Sequence, residues 1–350
     1  MDSLISNLVK LRGRAFSPAD ENVVVPCVET SDSSKLCTHP LVSVLMVTFN
    51  QVACIRQAIE SVMMQKTDFE YELIIGEDAS TDGTREICFE LQHKYPERIR
   101  VLWSEKNLYA INGNSRRVKS HVRGEYVAFL EGDDYWTDPY KLQKQIDLIN
   151  KTNAVGCMAK RVDWYSEDCV KHPDEGCNFD FINNELLFCH YLHTSTYLFR
   201  TDVWQNVRFK CPEITEWYDT QIAHCMADAG KICFLQDEVS VYHRTGEGIA
   251  TSQRTMYDRI PLALSQMIPM YLYGPKRLRH RFSLLAMREI AHLGCPYIEG
   301  YNFEAFVNIK PLVYPIFFKL LGGNLHRLQN WMWLVRLRYY RVVAFVRQMS

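Results

Sequence analysis

Leu41–Thr48 is the first strong signal along the chain: an apolar run rich in Val, bounded by Pro40 and Asn50. Both of its alternating faces are apolar, which predicts a strand covered on two sides. Ile55, Ile59 and Val62 then recur at helical spacing, Tyr71–Gly76 reads as a second strand, and Ala79–Gly83 reads as a turn. Ile87 and Leu91 mark a second helix that stops before Pro96, and Ile99–Trp103 is a third strand. A short helix surrounds Arg117, and Tyr126–Leu130 is a fourth strand. This alternation predicts an α/β fold with a parallel sheet and helices on both faces. Asp138 and Pro139 suit the N-cap and first position of the next helix, whose buried face is Leu142, Ile146 and Ile149. The order is less regular from residue 154 to 255, which predicts a mixed sheet. Residues 256–350 read as helical and residues 1–39 as an arm or linker, so the expected regions are 1–39, 40–255 and 256–350.

In open sheets of this kind, ligands sit beyond the carboxyl ends of the strands. The first strand ends in Val47-Thr48-Phe49-Asn50 and the second in Gly76-Glu77-Asp78. The fourth ends in Leu130-Glu131-Gly132-Asp133-Asp134-Tyr135-Trp136. Glu77, Asp78, Glu131, Asp133 and Asp134 therefore share one rim, and such a cluster repels itself unless a positive group neutralises it. A hard cation with oxygen ligands, Mg²⁺ or Mn²⁺, does this and also suits a diphosphate. Thr48, Asn50 and Asp78 can offer hydrogen bonds to a base and ribose. Asp82-Gly83-Thr84 has the plainer reading of a turn and helix start.

Composition narrows the choice. A chain of 350 residues that is 47% hydrophobic can bury a large core. Its formal charge of −1 supplies no field for nucleic acid, so no nucleic-acid partner is expected. The 12 cysteines include no Cys-x-x-Cys pair and read as free thiols in a reducing compartment. Lys10, Arg12 and Arg14 break the apolar character of Met1–Phe16, and no run of 18 apolar residues occurs. The expectation is a cytoplasmic protein without a membrane span.

Three stretches, in order, resemble glycosyltransferase family 2, the inverting enzymes of the GT-A fold. They are Val44–Asn50, Gly76–Thr84 and Leu130–Pro139, and the resemblance extends over residues 41–255. The last stretch is most similar to bacterial members that build surface polysaccharides. The resemblance implies a Rossmann-like nucleotide-binding half, a mixed-sheet acceptor half and a nucleotide-diphosphate-sugar donor. Thr48, Asn50, Glu77 and Asp78 then lie at the nucleotide. Asp133 and Asp134 match the Asp-x-Asp region, with Asp133 at the ribose and metal and Asp134 at the metal, Mn²⁺ or Mg²⁺. This chain departs from many members in having Glu131 where they have Asp, and no ligand role is assigned to Glu131.

An inverting transfer needs a general base on the acceptor side. The family's carboxylate matches Asp219 in Glu216-Trp217-Tyr218-Asp219-Thr220, with Glu216 as the rival and an N-cap as the plain alternative for Asp219. His193-Thr194-Ser195-Thr196 resembles the family's polar stretch at the sugar site. His243 or Arg244, in Tyr242-His243-Arg244-Thr245, faces the diphosphate in the family's pattern, although Thr245 occupies the usual His position. Leu328, Trp331, Val335, Tyr339, Val342 and Val346 form a stripe with Arg336, Arg338, Arg341 and Arg347 lying off it. This segment suits either an anionic membrane near a lipid-linked acceptor or the catalytic core. Other classes remain: a sugar nucleotidyltransferase, against which the absence of glycine in Thr48–Val52 counts; a receiver-type module, whose acids follow different strands; and a transferase fold that only binds.

Overall fold

The computed structural model describes residues 25–108, 113–166, 169–189, 192–206, 219–244 and 276–293, with a few isolated positions between 264 and 320. The chain divides into two compact units. One comprises residues 19–208 and 216–248, the other residues 1–18, 209–215 and 249–350.

The first unit is a mixed sheet with helices on both faces. In chain order its elements are β1 (Val28–Thr30), β2 (Val42–Thr48), α1 (Ile55–Met63), β3 (Tyr71–Glu77), α2 (Thr84–Lys94), β4 (Ile99–Trp103), α3 (Gly113–Ser120), β5 (Tyr126–Phe129) and β6 (Tyr135–Trp136). There follow α4 (Lys141–Thr152), β7 (Gly156–Ser166), β8 (Cys169–Lys171), β9 (Phe181–Ile182), α5 (Asn184–Cys189), a 3-10 turn (Thr194–Thr196), β10 (Leu198–Arg200), α6 (Thr201–Asn206), α7 (Asp219–Ala229) and β11 (Ile232–His243). The main path across the sheet runs β1-β4-β3-β2-β5-β10-β7-β11-β6. β4, β3, β2 and β5 are mutually parallel. β10 joins antiparallel to both β5 and β7, which makes the sheet mixed, as the sequence leads one to expect.

The period of two in β2 explains the layering. Val44 and Met46 pack with Ile55, Ile59, Leu142 and Ile146 on one face. Leu45, on the other, packs with Val118, Trp204 and Met226. Every residue of β3 is buried, as a central strand of a two-sided parallel sheet should be. That burial includes Glu72 near its amino end. Ser43 Oγ donates to Glu72 Oε1 at 2.6 Å, and Arg100 and Arg123 close on Oε2 at 3.1 and 2.6 Å.

Two boundaries differ from expectation. Part of the stretch read as an arm is β1, an edge strand antiparallel to β4. Side chains hold it there: Glu29 with Arg100 at 2.8 Å, and Trp103 Nε1 donating to Thr30 Oγ1 at 3.0 Å. Helix α4 begins at Lys141 rather than Pro139. Asp138 caps a tight turn instead, accepting from the Tyr140 N–H at 2.8 Å and from Lys144 Nζ at 2.7 Å.

In the second unit the described helix is α8, Arg279–Leu293, with Phe282, Ala286 and Met287 buried. No helix among the described residues is long and apolar enough to cross a membrane. The stripe at 328–346 lies outside the described residues.

Candidate active site

The chain moves outward from β2 through β3 to β4, then returns to place β5 on the other side of β2. The direction of strand order therefore reverses between β2 and β5, and the crevice beyond their carboxyl ends is where open α/β sheets bind ligands. The loop after β5 stays on β2 for two more bonds: the Leu130 and Gly132 N–H groups donate to the Leu45 and Val47 carbonyls at 3.0 and 3.2 Å. This carries Glu131–Asp134 to the rim beside Thr48. A side chain at Gly132 would stand 2.9 Å from Thr48 Oγ1, so glycine permits the close approach.

On the β2–β3 side, Thr48 Oγ1 donates to Gln51 Oε1 at 2.7 Å. Asn50 has a left-handed backbone, with φ of 50°. Its Oδ1 accepts from the Thr81 N–H at 2.9 Å, and its own N–H donates to Ser80 Oγ at 3.0 Å. The two loops are thus laced together. Asp78 is buried, and burial raises its pKa above the usual carboxylate range. Its Oδ1 accepts from the Leu108 N–H at 2.8 Å. Glu77 is fully buried with both oxygens engaged, by Arg85 Nε at 2.6 Å and by the Ser80 N–H at 2.6 Å. It holds the loop from within. Arg117 of α3 is buried behind it, donating to the Glu77 carbonyl and to Asn114 Oδ1, both at 2.7 Å.

The acidic loop is more unusual. Asp134 is 2% exposed, and its Oδ1 accepts from the His243 N–H at 2.9 Å. Its Oδ2 is buried without a hydrogen-bond partner among the described residues and lies 3.5 Å from His193 Nδ1. Burial, and then Glu131 and Asp133, push the Asp134 carboxyl well above the usual range. Burial, aided by Arg161 and Arg244, drives the His193 imidazole down to about 3. Glu131 Oε1 accepts from Thr194 Oγ1 at 2.7 Å. Glu131, Asp134 and His193 each present one ligand atom, all within 4.8 Å of one another. A buried carboxyl oxygen with no hydrogen-bond partner among the described residues, beside a second carboxyl group and an imidazole, offers ligand atoms that suit a divalent cation. Of the expected metal pair, Asp134 belongs to this set and Asp133 does not. Asp133 is half-buried, and burial raises its pKa while the Gln51 side chain opposes the shift.

Behind the loop, the 3-10 turn is fastened from two sides. Trp136 Nε1 donates to the Ser195 carbonyl at 2.9 Å, and Ser195 Oγ meets Ser240 Oγ at 3.0 Å. Tyr242 of β11 stacks on His193 with 4.1 Å between ring centroids. Beyond it, Arg244 binds Asp163 Oδ2 at 2.9 Å and lies over the Tyr242 ring. The guanidinium is therefore already paired with a buried acid. His243 contributes its backbone N–H to Asp134, while its ring packs edge-on to Trp164.

The sequence pattern thus brings Thr48, Asn50, Glu77, Asp78, Asp133 and Asp134 to one rim. It passed over Gln51, Arg85, Arg117 and the partnership of Glu131 with Thr194. Gln51 had a usable signal, a polar residue one turn beyond Thr48. Asp219 is the first residue of α7, where a helix start was expected. Its side chain, and all of Glu216, lie outside the described residues.

This architecture is that of the GT-A fold. Residues 43–207, just under half of the chain, match the family model for glycosyl transferase family 2. An uncharacterised protein of Mycobacterium tuberculosis is 32% identical over 221 residues, covering 61% of each chain. This chain therefore spans only about three-fifths of that curated relative. The Escherichia coli UDP-Glc:alpha-D-GlcNAc-diphosphoundecaprenol beta-1,3-glucosyltransferase WfgD is 34% identical over 113 residues, 32% of this chain and 42% of its own. S. aureus TarS 1–349, solved with UDP-GlcNAc, superposes with a TM-score of 0.57 at 17% identity, covering 88% of this chain and 91% of its own. That likeness shows the shared fold.

Proposed function

We propose that the chain transfers a sugar from a nucleotide-diphosphate-sugar donor to a saccharide or lipid-linked acceptor, with inversion, in the making of a cell-surface polysaccharide. The observation that carries this reading is the buried Asp134 Oδ2, which has no donor among the described residues, at the crevice between β2 and β5. Thr48, Asn50, Asp78 and Asp133 hold the nucleotide, and Glu77 keeps their loop in place through Arg85 and Ser80. Asp134, with Glu131, His193 or Asp133, would hold Mn²⁺ or Mg²⁺. Such an ion, when bound, neutralises the leaving diphosphate. Asp219, at the start of α7, takes the proton from the acceptor hydroxyl as the hydroxyl oxygen attacks the anomeric carbon. One displacement from the opposite face inverts that centre. WfgD, whose printed name carries a UDP-glucose donor and a diphosphoundecaprenol acceptor, supports this donor and acceptor chemistry. A lipid-linked acceptor also gives the basic segment beyond residue 325 a role, as peripheral contact with an anionic membrane on the cytoplasmic side.

The test is a screen of UDP-, GDP- and dTDP-sugars with Mn²⁺, reading released nucleotide. Release from one nucleotide class, suppressed by chelator, supports the proposal. Absence of both binding and release across the panel sinks it.

A further inference from the structure

Lys141, the first residue of α4, is fully buried. An ammonium group in a core is costly unless something compensates it. Here no carboxylate among the described residues closes on it. Nζ donates to Gln145 Oε1 at 2.8 Å and lies 4.1 Å from the centre of the Trp136 ring. Both partners lead to the same place. With its Oε1 taken by the lysine, the Gln145 amide faces its Nε2 to the Thr196 carbonyl, at 2.8 Å. Trp136 Nε1 donates to the preceding carbonyl, Ser195, at 2.9 Å. Two successive carbonyls of the 3-10 turn thus receive donors organised by one buried lysine.

The other side of that turn meets the acidic loop. Thr194 Oγ1 donates to Glu131 Oε1 at 2.7 Å, and His193 Nδ1 lies 3.5 Å from Asp134 Oδ2. The turn is therefore gripped between the Lys141 cluster and the two carboxylates. We propose that Lys141 is a positioning residue: acting through Gln145 and Trp136, it fixes the 193–196 turn and so sets where Glu131 and Asp134 stand in the crevice. Lys141 itself touches no reacting group. The inference rests on the transferase reading above for its catalytic consequence, but the placement of the carboxylates can be probed without turnover.

Lys141→Met is the variant of choice. Met fills the volume of the lysine stem, and replacing a buried charge by an apolar group is often neutral or stabilising. A merely structural lysine would then leave all functions intact, or lose them together with stability. The expected result is an unchanged or higher melting temperature, with metal-free nucleotide affinity within about twofold of wild type. Turnover should fall about tenfold or more, since displacement by a fraction of an ångström is enough to do this. Mn²⁺ affinity, measured by electron paramagnetic resonance on the full chain without donor, should fall in parallel. Trp136→Phe keeps the ring under the ammonium but removes the donor to Ser195, and should weaken Mn²⁺ binding in the same direction. Wild-type Mn²⁺ affinity and turnover in both variants overturn the proposal. So does a loss of turnover that merely tracks melting temperature and nucleotide affinity. If wild type hydrolyses no nucleotide-sugar, yet Mn²⁺ affinity falls in both variants, positioning stands and the transferase reading fails.

Discussion

The backbone N–H of His243 donates to Asp134 Oδ1 at 2.9 Å, although the two residues are 109 apart in sequence. The end of β11 thereby fastens one carboxylate oxygen and leaves the other facing Glu131 and His193. An Asp134→Asn substitution keeps an oxygen for the His243 bond and removes the charge. Turnover should fall roughly 100-fold or more, which corresponds to about 2.7 kcal/mol of transition-state stabilisation. Without metal, the variant should melt no lower than wild type, because a carboxyl group that burial, Glu131 and Asp133 all disfavour in its charged form has gone. Mn²⁺ should raise the melting temperature of wild type and not of the variant. Calorimetric scans with and without chelator check this, and full activity in Asp134→Asn would end the metal assignment.

Asp219 and Glu216 are separated by a pair of substitutions. Asp219→Asn should leave melting temperature and donor affinity nearly unchanged, since Asn suits a helix start almost as well as Asp. Transfer to acceptor should drop about 10²–10⁴-fold if Asp219 is the base. Glu216→Gln should be mild. Transfer rates measured beside donor affinity decide it, and an inactive Glu216→Gln beside an active Asp219→Asn reassigns the base.

Lys141 makes a pH prediction. Burial lowers its pKa to about 7, with Cys157 and Asp138 opposing the shift. An unfolded lysine titrates near 10.4. Between these values the unfolded chain binds more protons than the folded one, so the lysine's contribution to stability rises with pH. The slope is at most about 1.4 kcal/mol per pH unit. Wild type should therefore gain stability relative to Lys141→Met as pH is raised from 7 towards 10. Urea midpoints for both proteins across that range test it, and parallel curves would refute the shift.

Truncation after residue 324 should leave donor binding intact and reduce binding to anionic vesicles, at about 1 kcal/mol for each basic residue near the surface. Co-sedimentation with vesicles of graded phosphatidylserine content is the measurement. Collapse of donor affinity instead would place the segment on the catalytic core.

The sequence made the sheet legible where burial was two-sided. Leu41–Thr48 could be read as a strand because both faces of β2 are apolar, and the acids following β3 and β5 then fell at one rim. What escaped was held by polar contacts between distant segments. β1 sits at the edge through Glu29 and Thr30, without an apolar pattern to announce it. Trp136 binds a carbonyl 59 residues away, and Thr194 binds an acid 63 residues away. Such pairs leave no periodic trace. The start of α4 was misplaced because Asp138 satisfies the N–H of Tyr140 in a turn before the helix begins.

Glu72 is buried as deeply as Asp134, but two guanidinium groups and a hydroxyl close on it. Asp134 receives one backbone N–H and no cationic side chain among the described residues. The amino-terminal rim of the sheet is thus electrically self-sufficient, and the opposite rim is left in deficit. That asymmetry gives the two rims different freedom to diverge. Change around Glu72 unbalances a closed circuit and is felt as lost stability. Change around Asp134 alters what the deficit can recruit, so a new ligand preference can arise at one rim without rewiring the other.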